Sequence, residues 1–556
     1  MTTSDQELVL ITGRVLTQDA ADTVCDGLAT RSDRVVALGT VGEMRARSKS
    51  GTRLIEMPGA TVIPGFSDVH AHMEREGLKL IRPSLASCGS IADIQMIIRR
   101  EAADRPPGAW ITTMPIGAPP HYFQGPASLA EGRPPNRFEL DEAAPRNPVC
   151  IPGVFANWGM PPGYTCLNSI ALSLNGITAA TRSSIDGITI EKDESGEPTG
   201  VIVETNQRPR VDYELLKAVP RFTEIERCNG ICASMKLYNA VGTTSVYEGH
   251  GSSAQIIGLY RSLWAAGKLT VRVGLVVSPP WADIKEARWA MQEWLAYSRD
   301  SGIGDDWLRI SGIHVTFGGS PDVKKFALND LPNTGWAGFV EQAHDVTEFE
   351  AVCNLAAENR LRVHVIVNDQ LADVVAILER VHAVYNLQGR RWVVEHIART
   401  NRSTLQRLAS LGVLVTTIPV YYLWKNSHAY DLNRGNEVVP MRTMLDVGLD
   451  PAAGTDNIPH NPGFTLWAMC ERLRRSDGAV LGPDERLTRR QALRSMTVAG
   501  AQLTFDETRK GPLAPGFLAD IAVLNDDPLT ASADALRQLR SELTIVGGRV
   551  VHGALQ

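Results

Sequence analysis

The chain has 556 residues, 44% apolar and 21% charged, enough to build a large core and unlike a disordered or collagen-like composition. Its 56 basic and 62 acidic residues leave a formal charge of −6, too balanced for the basic footprint of a nucleic-acid binder. Apolar runs such as residues 111–116 and 411–420 fall well short of the roughly 20 residues of a membrane span, and residues 1–10 carry acids rather than the basic start of a signal peptide. A cytoplasmic protein without nucleic-acid or membrane partners is expected.

The first 60 residues read as short strands separated by turns, at residues 8–11, 14–17, 27–31, 34–39 and 53–57. The last stretch repeats that texture at 520–524, 542–546 and 549–552, with Gly547-Gly548 as a turn. Residues 1–60 and 500–556 are therefore expected to meet in one small β-sandwich. Between them, strands alternate with helical patterns, the signature of a parallel sheet. Strands are predicted at 60–63, 244–247, 271–277, 308–315, 362–366, 392–396, 413–417 and 450–454, with helices over 223–240, 284–297, 346–359 and 403–411. Eight strands fit a (β/α)8 barrel over residues 61–499. Residues 81–212, rich in proline and glycine, break the rhythm and read as a large insertion after the first strand, placed as a cap at the end of the barrel where active sites lie.

The segment Val62-Ile63-Pro64-Gly65-Phe66-Ser67-Asp68-Val69-His70-Ala71-His72 carries the sharpest chemical signal. Residues i and i+2 of an extended segment point the same way, so His70 and His72 can present two imidazoles to one ion. His364 and His396 are polar residues in apolar strands, and Asp456 follows Gly454 just past a short one. Four imidazoles and a carboxylate at successive strand ends form a metal site by ligand type. Tyr247-Glu248-Gly249-His250 follows a strand and is placed to reach the same pocket through Glu248. Trp158, Tyr164, Tyr421, Tyr422 and Trp424 are candidates for an aromatic wall against an apolar substrate, although buried aromatics are more often core.

With these residues the sequence resembles the amidohydrolase superfamily of metal-dependent hydrolases, in the branch that includes N-substituted formamide deformylases. The resemblance extends through Ile11-Thr12-Gly13-Arg14-Val15-Leu16, Asn168-Ser169-Ile170-Ala171-Leu172, Gly242-Thr243-Thr244-Ser245-Val246 and the closing stretch from Gly511-Pro512-Leu513 to Ala519-Asp520-Ile521. It implies that His70 and His72 are the strand-one metal ligands, His364 the strand-five ligand, His396 the strand-six ligand, and Asp456 the strand-eight aspartate that binds metal and moves the proton. It also makes a homodimer the expected assembly. Zinc is the default ion for so nitrogen-rich a site, with iron or manganese also compatible.

Two departures stand out. His314 occupies the strand-four position where many relatives carry a lysine that is carboxylated to bridge two metals; it could ligate one metal itself, the site could hold one ion instead of two, or Lys324 or Lys325 could substitute. Asp369 lies five residues after His364, where relatives commonly space the pair by four. The expected activity is hydrolysis of an amide-type C–N bond in a small N-acyl, N-formyl, carbamate or cyclic amide substrate. Asp456 would shuttle the proton, and His396 would help to polarise the carbonyl. Hydrolytic deamination of a heterocycle, or binding without catalysis on the same fold, are the alternatives that the sequence leaves open.

Overall fold

The computed structural model describes residues 7–154, 159–205, 210–278, 281, 283–315, 317–318 and 345–553. It separates into two compact units. One takes in the chain up to His72 and most of the chain from Met235 onward, and the other runs from Met73 to Ser234.

In the first unit a parallel sheet follows chain order: Phe66–Asp68, Thr243–Ser252, Arg272–Val277, Leu308–His314, Val363–Asn368, Val393–Ile397, Leu414–Thr417 and Ala452–Ala453. These are barrel strands one to eight. Helices with side-chain N-caps connect several of them: Asp283 caps Ile284–Ser298, Asp345 caps Val346–Glu358 and Asn401 caps Arg402–Ser410. Their apolar faces and the outward residues of the strands, among them Phe349, Val365, Val375 and Val394, share one core. No ladder joins strands eight and one among the described residues. The seam is closed instead by the loop after strand eight: Asp456 N–H donates to the His70 carbonyl (2.9 Å), and Thr455 N–H to Asp68 Oδ1 (2.9 Å).

Strand one is not where the sequence pattern put it. Thr61–Pro64 belongs to a different sheet, pairing with Val15 on one side and with Ile521–Leu524 on the other. The chain turns at Gly65, whose absent Cβ would fall 2.1 Å from the Thr244 methyl, and Phe66–Asp68 enters the barrel. The run 62–66 is continuously apolar but for Pro64 and Gly65, so periodicity alone cannot show that it serves two sheets in succession.

The two ends of the described chain share that other sheet of eight strands, which includes Glu7–Leu16, Val24–Arg31, Arg34–Gly39, Ile521–Leu524, Ser541–Val546 and Arg549–His552. One face packs Leu10, Val15, Val62, Val523 and Ile545 together, and the other packs Val9, Ile11 and Ala29 with Met44. A buried ion pair ties this sheet to the barrel. Arg272, at the start of strand three, meets Asp520 through two hydrogen bonds (Nε–Oδ2 2.6 Å, Nη2–Oδ1 2.9 Å), and Asp520 also accepts from Gly547 N–H. Arg272→Met should cost about 3–5 kcal/mol, because it leaves a buried carboxylate without its cation; urea unfolding of the variant checks this.

The second unit contains the insertion read from the sequence. Its five-stranded sheet runs in the order Ile188–Lys192, Pro198–Glu204, Gly163–Leu167, Val149–Ile151, Ile111–Thr112. Ile94, Ile98 and Leu140 belong to its own core. Asn168 earns its place structurally: it caps Ser169–Leu174, accepts from Val149 N–H (2.9 Å) and donates to the Asn147 carbonyl (2.9 Å). No helix among the described residues is long and apolar enough to cross a membrane.

Candidate metal centre

Three strand ends of the first unit bring imidazoles together, and a fourth brings a carboxylate. The ligand atoms of His70, His72 and His250 lie within 4.8 Å of one another. His396 joins from strand six with its Nε2 2.9 Å from His70 Nε2, and Asp456 from beyond strand eight with Oδ1 3.1 Å from His72 Nε2. Metal–nitrogen bonds of about 2.0–2.1 Å in a tetrahedron put neighbouring donor atoms roughly 3.4 Å apart. The spacings of 2.9 to 4.8 Å straddle that value, and the donors are those that a zinc-like ion accepts, so the residues fit a metal.

Several devices hold these groups. His396 (φ 58°), Asp456 (φ 51°) and Asn457 (φ 59°) sit in the left-handed region, which non-glycine residues rarely adopt. The Asn457 side chain accepts from His72 N–H (2.8 Å) and donates to the Tyr238 hydroxyl (2.8 Å). Asp68 accepts from Thr455 through both backbone and hydroxyl, and from His70 N–H (3.2 Å). Tyr422 donates its hydroxyl hydrogen to Asn368 (2.7 Å) and lies 3.2 Å from His396 Nδ1. A Tyr422 hydroxyl that gives its hydrogen to Asn368 can accept from His396 Nδ1–H, the tautomer that puts the His396 lone pair on Nε2, facing His70.

The other sequence candidates take different places. The ring of His314 packs against His250 (centroids 5.1 Å apart) outside the group of three. His364 has both ring nitrogens engaged in the barrel interior, Nδ1 at 3.0 Å from Glu395 and Nε2 at 3.2 Å from the Tyr247 hydroxyl. Glu248 stands behind His72, with Oε2 3.7 Å from Nδ1, and accepts from Tyr260 (2.7 Å). Tyr421 packs edge-on against Tyr422, and Trp424 against Phe464. Tyr164 lines a cavity of about 370 Å³ within the second unit, with Tyr122, Phe123 and Pro161. Trp158, Lys324 and Lys325 lie outside the described residues. Asp68, Glu395 and Asn457 were not among the sequence candidates. Nor was His250 among the ligands expected, and its one signal was a histidine between two glycines at a strand end.

Burial, reinforced by the rings of His314, His72, His70 and His396, holds the His250 pKa well below the usual 6.5. Burial and the charge of Arg362 do the same for His364. Burial pushes the Asp68 carboxyl up to about 6 and Glu395 well above its usual range. Both histidines are therefore neutral at neutral pH, the state a metal ligand needs. Since each folded value lies below the unfolded one, their contribution to stability is complete above pH 6.5 and is lost as the pH falls through it. Asp68 opposes this, its burial penalty being relieved as the pH falls through about 6. In the metal-free protein, the imidazole Cε1 resonances of His250 and His364 should titrate with midpoints below 6.5; a midpoint at or above it refutes the assignment.

A parallel barrel with histidines and an aspartate gathered at the C-terminal ends of its strands is the arrangement of a metal-dependent hydrolase. The model of the amidohydrolase family matches residues 53–552. The chain belongs to that family, and is an enzyme of the class that hydrolyses carbon–nitrogen bonds. It is 26% identical to the N-substituted formamide deformylase of Arthrobacter pascens, with 98% of each chain covered. Its fold is similar to that of an uncharacterised metal-dependent hydrolase from Pyrococcus horikoshii OT3 (TM-score 0.68, 20% identity, 95% of this chain and 99% of that one). It is also similar to atrazine chlorohydrolase TrzN from Arthrobacter aurescens TC1, solved with zinc (TM-score 0.52, 15% identity, 98% and 95%).

Proposed function

We propose that this chain cleaves an amide-type C–N bond in a small N-formyl or N-acyl compound, with a metal ion held by the histidine cluster and Asp456 as the proton carrier. The observation that carries this reading is the Asp456 carboxylate, fixed in a left-handed turn with Oδ1 3.1 Å from His72 Nε2. It is the charged acceptor at the cluster that extends from the seam closing the barrel. Zinc is the ion we assign, on the nitrogen-rich donor set and on the zinc described for the TrzN structure. A zinc ion bound there supplies a water of pKa near 7 and a Lewis acid for the scissile carbonyl.

The residues do the rest. Asp456 accepts the proton of the attacking water and returns it to the leaving nitrogen, acting as base and then as acid. His70, His72 and His396 would hold the ion, His396 with its Nε2 beside that of His70 and its Nδ1 beside the Tyr422 hydroxyl. The 26% identity to a formamide deformylase over the whole chain supports N-substituted formamides as the first substrates to try.

Protein purified without added metal should contain zinc by elemental analysis, and should convert N-substituted formamides or acyl amides to a carboxylic acid and an amine. Ammonia as the only small product would point to deamination instead. Treatment with dipicolinate should abolish turnover and zinc should restore it; full activity in demonstrably metal-free protein would sink the reading.

A further inference from the structure

We infer that a further imidazole ligand of this metal centre comes from His250 on barrel strand two, and that His364 on strand five acts from beneath as a positioning residue, through Glu395 on His70. The inference rests on the metal-dependent reading above.

Strand two is built for both tasks. Its ladder with strand three shifts register between Glu248 and Ser252, a bulge that re-aims the residues within it. His250 lies in that bulge, and its ring centroid is 5.9 Å from that of His70 and 5.8 Å from that of His72. The glycines on either side make room. A Cβ on Gly251 would fall 2.6 Å from His314 Cβ, and φ there is +84°. A Cβ on Gly249 would fall 2.8 Å from Glu395 Oε1, so the Glu395 carboxylate fills the space that this glycine leaves.

Glu395 is 1% exposed and reaches two histidines: Oε2 is 3.5 Å from His70 Nδ1, and Oε1 is 3.0 Å from His364 Nδ1. At 3.5 Å the Glu395 carboxyl and His70 Nδ1 face each other without a hydrogen bond; an acceptor on that side favours the proton at Nδ1 and leaves Nε2 for the metal, and Nε2 is the atom that His70 turns towards His396. His364 in turn rests on the Tyr247 hydroxyl, which accepts from Arg362 Nη1 (3.4 Å). On strand five the next residue on the same side as His364 is Ile366, opposite Glu395 in register, and it offers no donor atom. Strand five thus supports the centre from below, and strand two supplies the ring.

Equilibrium competition between the metal-free protein and a chelator for zinc tests this, with visible spectra of the cobalt-loaded protein. His250→Asn should weaken zinc binding more than about 100-fold and change the cobalt spectrum. Glu395→Gln should weaken binding about 10–100-fold. His364→Gln should leave the cobalt spectrum as in the wild type, and the His364→Gln/Glu395→Gln double variant should bind zinc as Glu395→Gln does, because the two act in series. Thermal unfolding of the metal-free variants controls for folding. If His364→Gln does not fold, the imidazole ¹⁵N shifts of the wild type decide: zinc should move those of His250 and leave those of His364. Wild-type binding retained in His250→Asn, or a His364 ring shifted by zinc, overturns the inference alone. A wild-type chain that binds no zinc overturns it together with the metal-dependent reading.

Discussion

Asp456→Asn is expected to lower turnover by about 10²–10⁴-fold while the chain keeps its fold and its metal. The substitution is nearly isosteric, and asparagine tolerates the left-handed conformation (φ 51°) of this position. The backbone bond from residue 456 to the His70 carbonyl is untouched, so the seam between strands eight and one should hold. What is lost is the basicity of the carboxylate to which the proposed function gives the proton transfer. Product release in the steady state, zinc content and unfolding temperature check the three parts of this prediction. Turnover near that of the wild type would remove Asp456 from the role of proton carrier.

Gly454→Ala should damage stability and metal binding together. A Cβ at this position would stand 2.5 Å from the Cβ of His70 and 2.6 Å from its backbone nitrogen. Neither atom is the yielding end of a flexible side chain, so one strand must move. Gly454 N–H is itself bonded to the Thr417 carbonyl (2.9 Å), which ties strand eight in place and directs the displacement onto His70. Overpacking of this kind costs about 1–3 kcal/mol. Zinc affinity should fall at least about tenfold with it, as expected when a ligand is misplaced. Urea unfolding and the chelator competition measure the two effects. Loss of stability without loss of affinity would show that strand eight yields and His70 does not.

Much of this arrangement is legible in the sequence, and the parts that are not have physical reasons. Barrel strands two to eight are expected within a few residues of where they lie, because their apolar runs alternate with capped helices of ordinary length. Strand one escapes because the turn at Gly65 divides the run 62–66 between two sheets. His70, His72, His396 and Asp456 come together as their strand ends suggest. His364 shows the limit of reading a histidine in an apolar strand: whether such a ring points at the mouth of the barrel or into its interior depends on its height along the strand, and sequence spacing gives height only to within a residue. His250 is hidden for a related reason. Its neighbour Gly251 reads as an ordinary turn residue, yet the bulge that the two flanking glycines permit is what turns the ring towards the cluster. Glu395 is adjacent to a histidine already singled out, and only the three-dimensional neighbourhood, with Gly249 opposite, shows that it lies between His70 and His364.

The pairing of Thr61–Pro64 with Ile521–Leu524 has a consequence for the order in which the protein is made. The segment carrying His70 and His72 emerges early from the ribosome. It is held on its N-terminal side by groups that emerge late: Gly65 N–H bonds to the Asp520 carbonyl and Ser67 N–H to that of Met496. A nascent chain stalled after the eighth barrel strand should therefore possess every metal-binding side chain and still lack the clasp that fixes two of them. The final placement of His70 and His72 is then among the last features of the fold that the growing chain acquires.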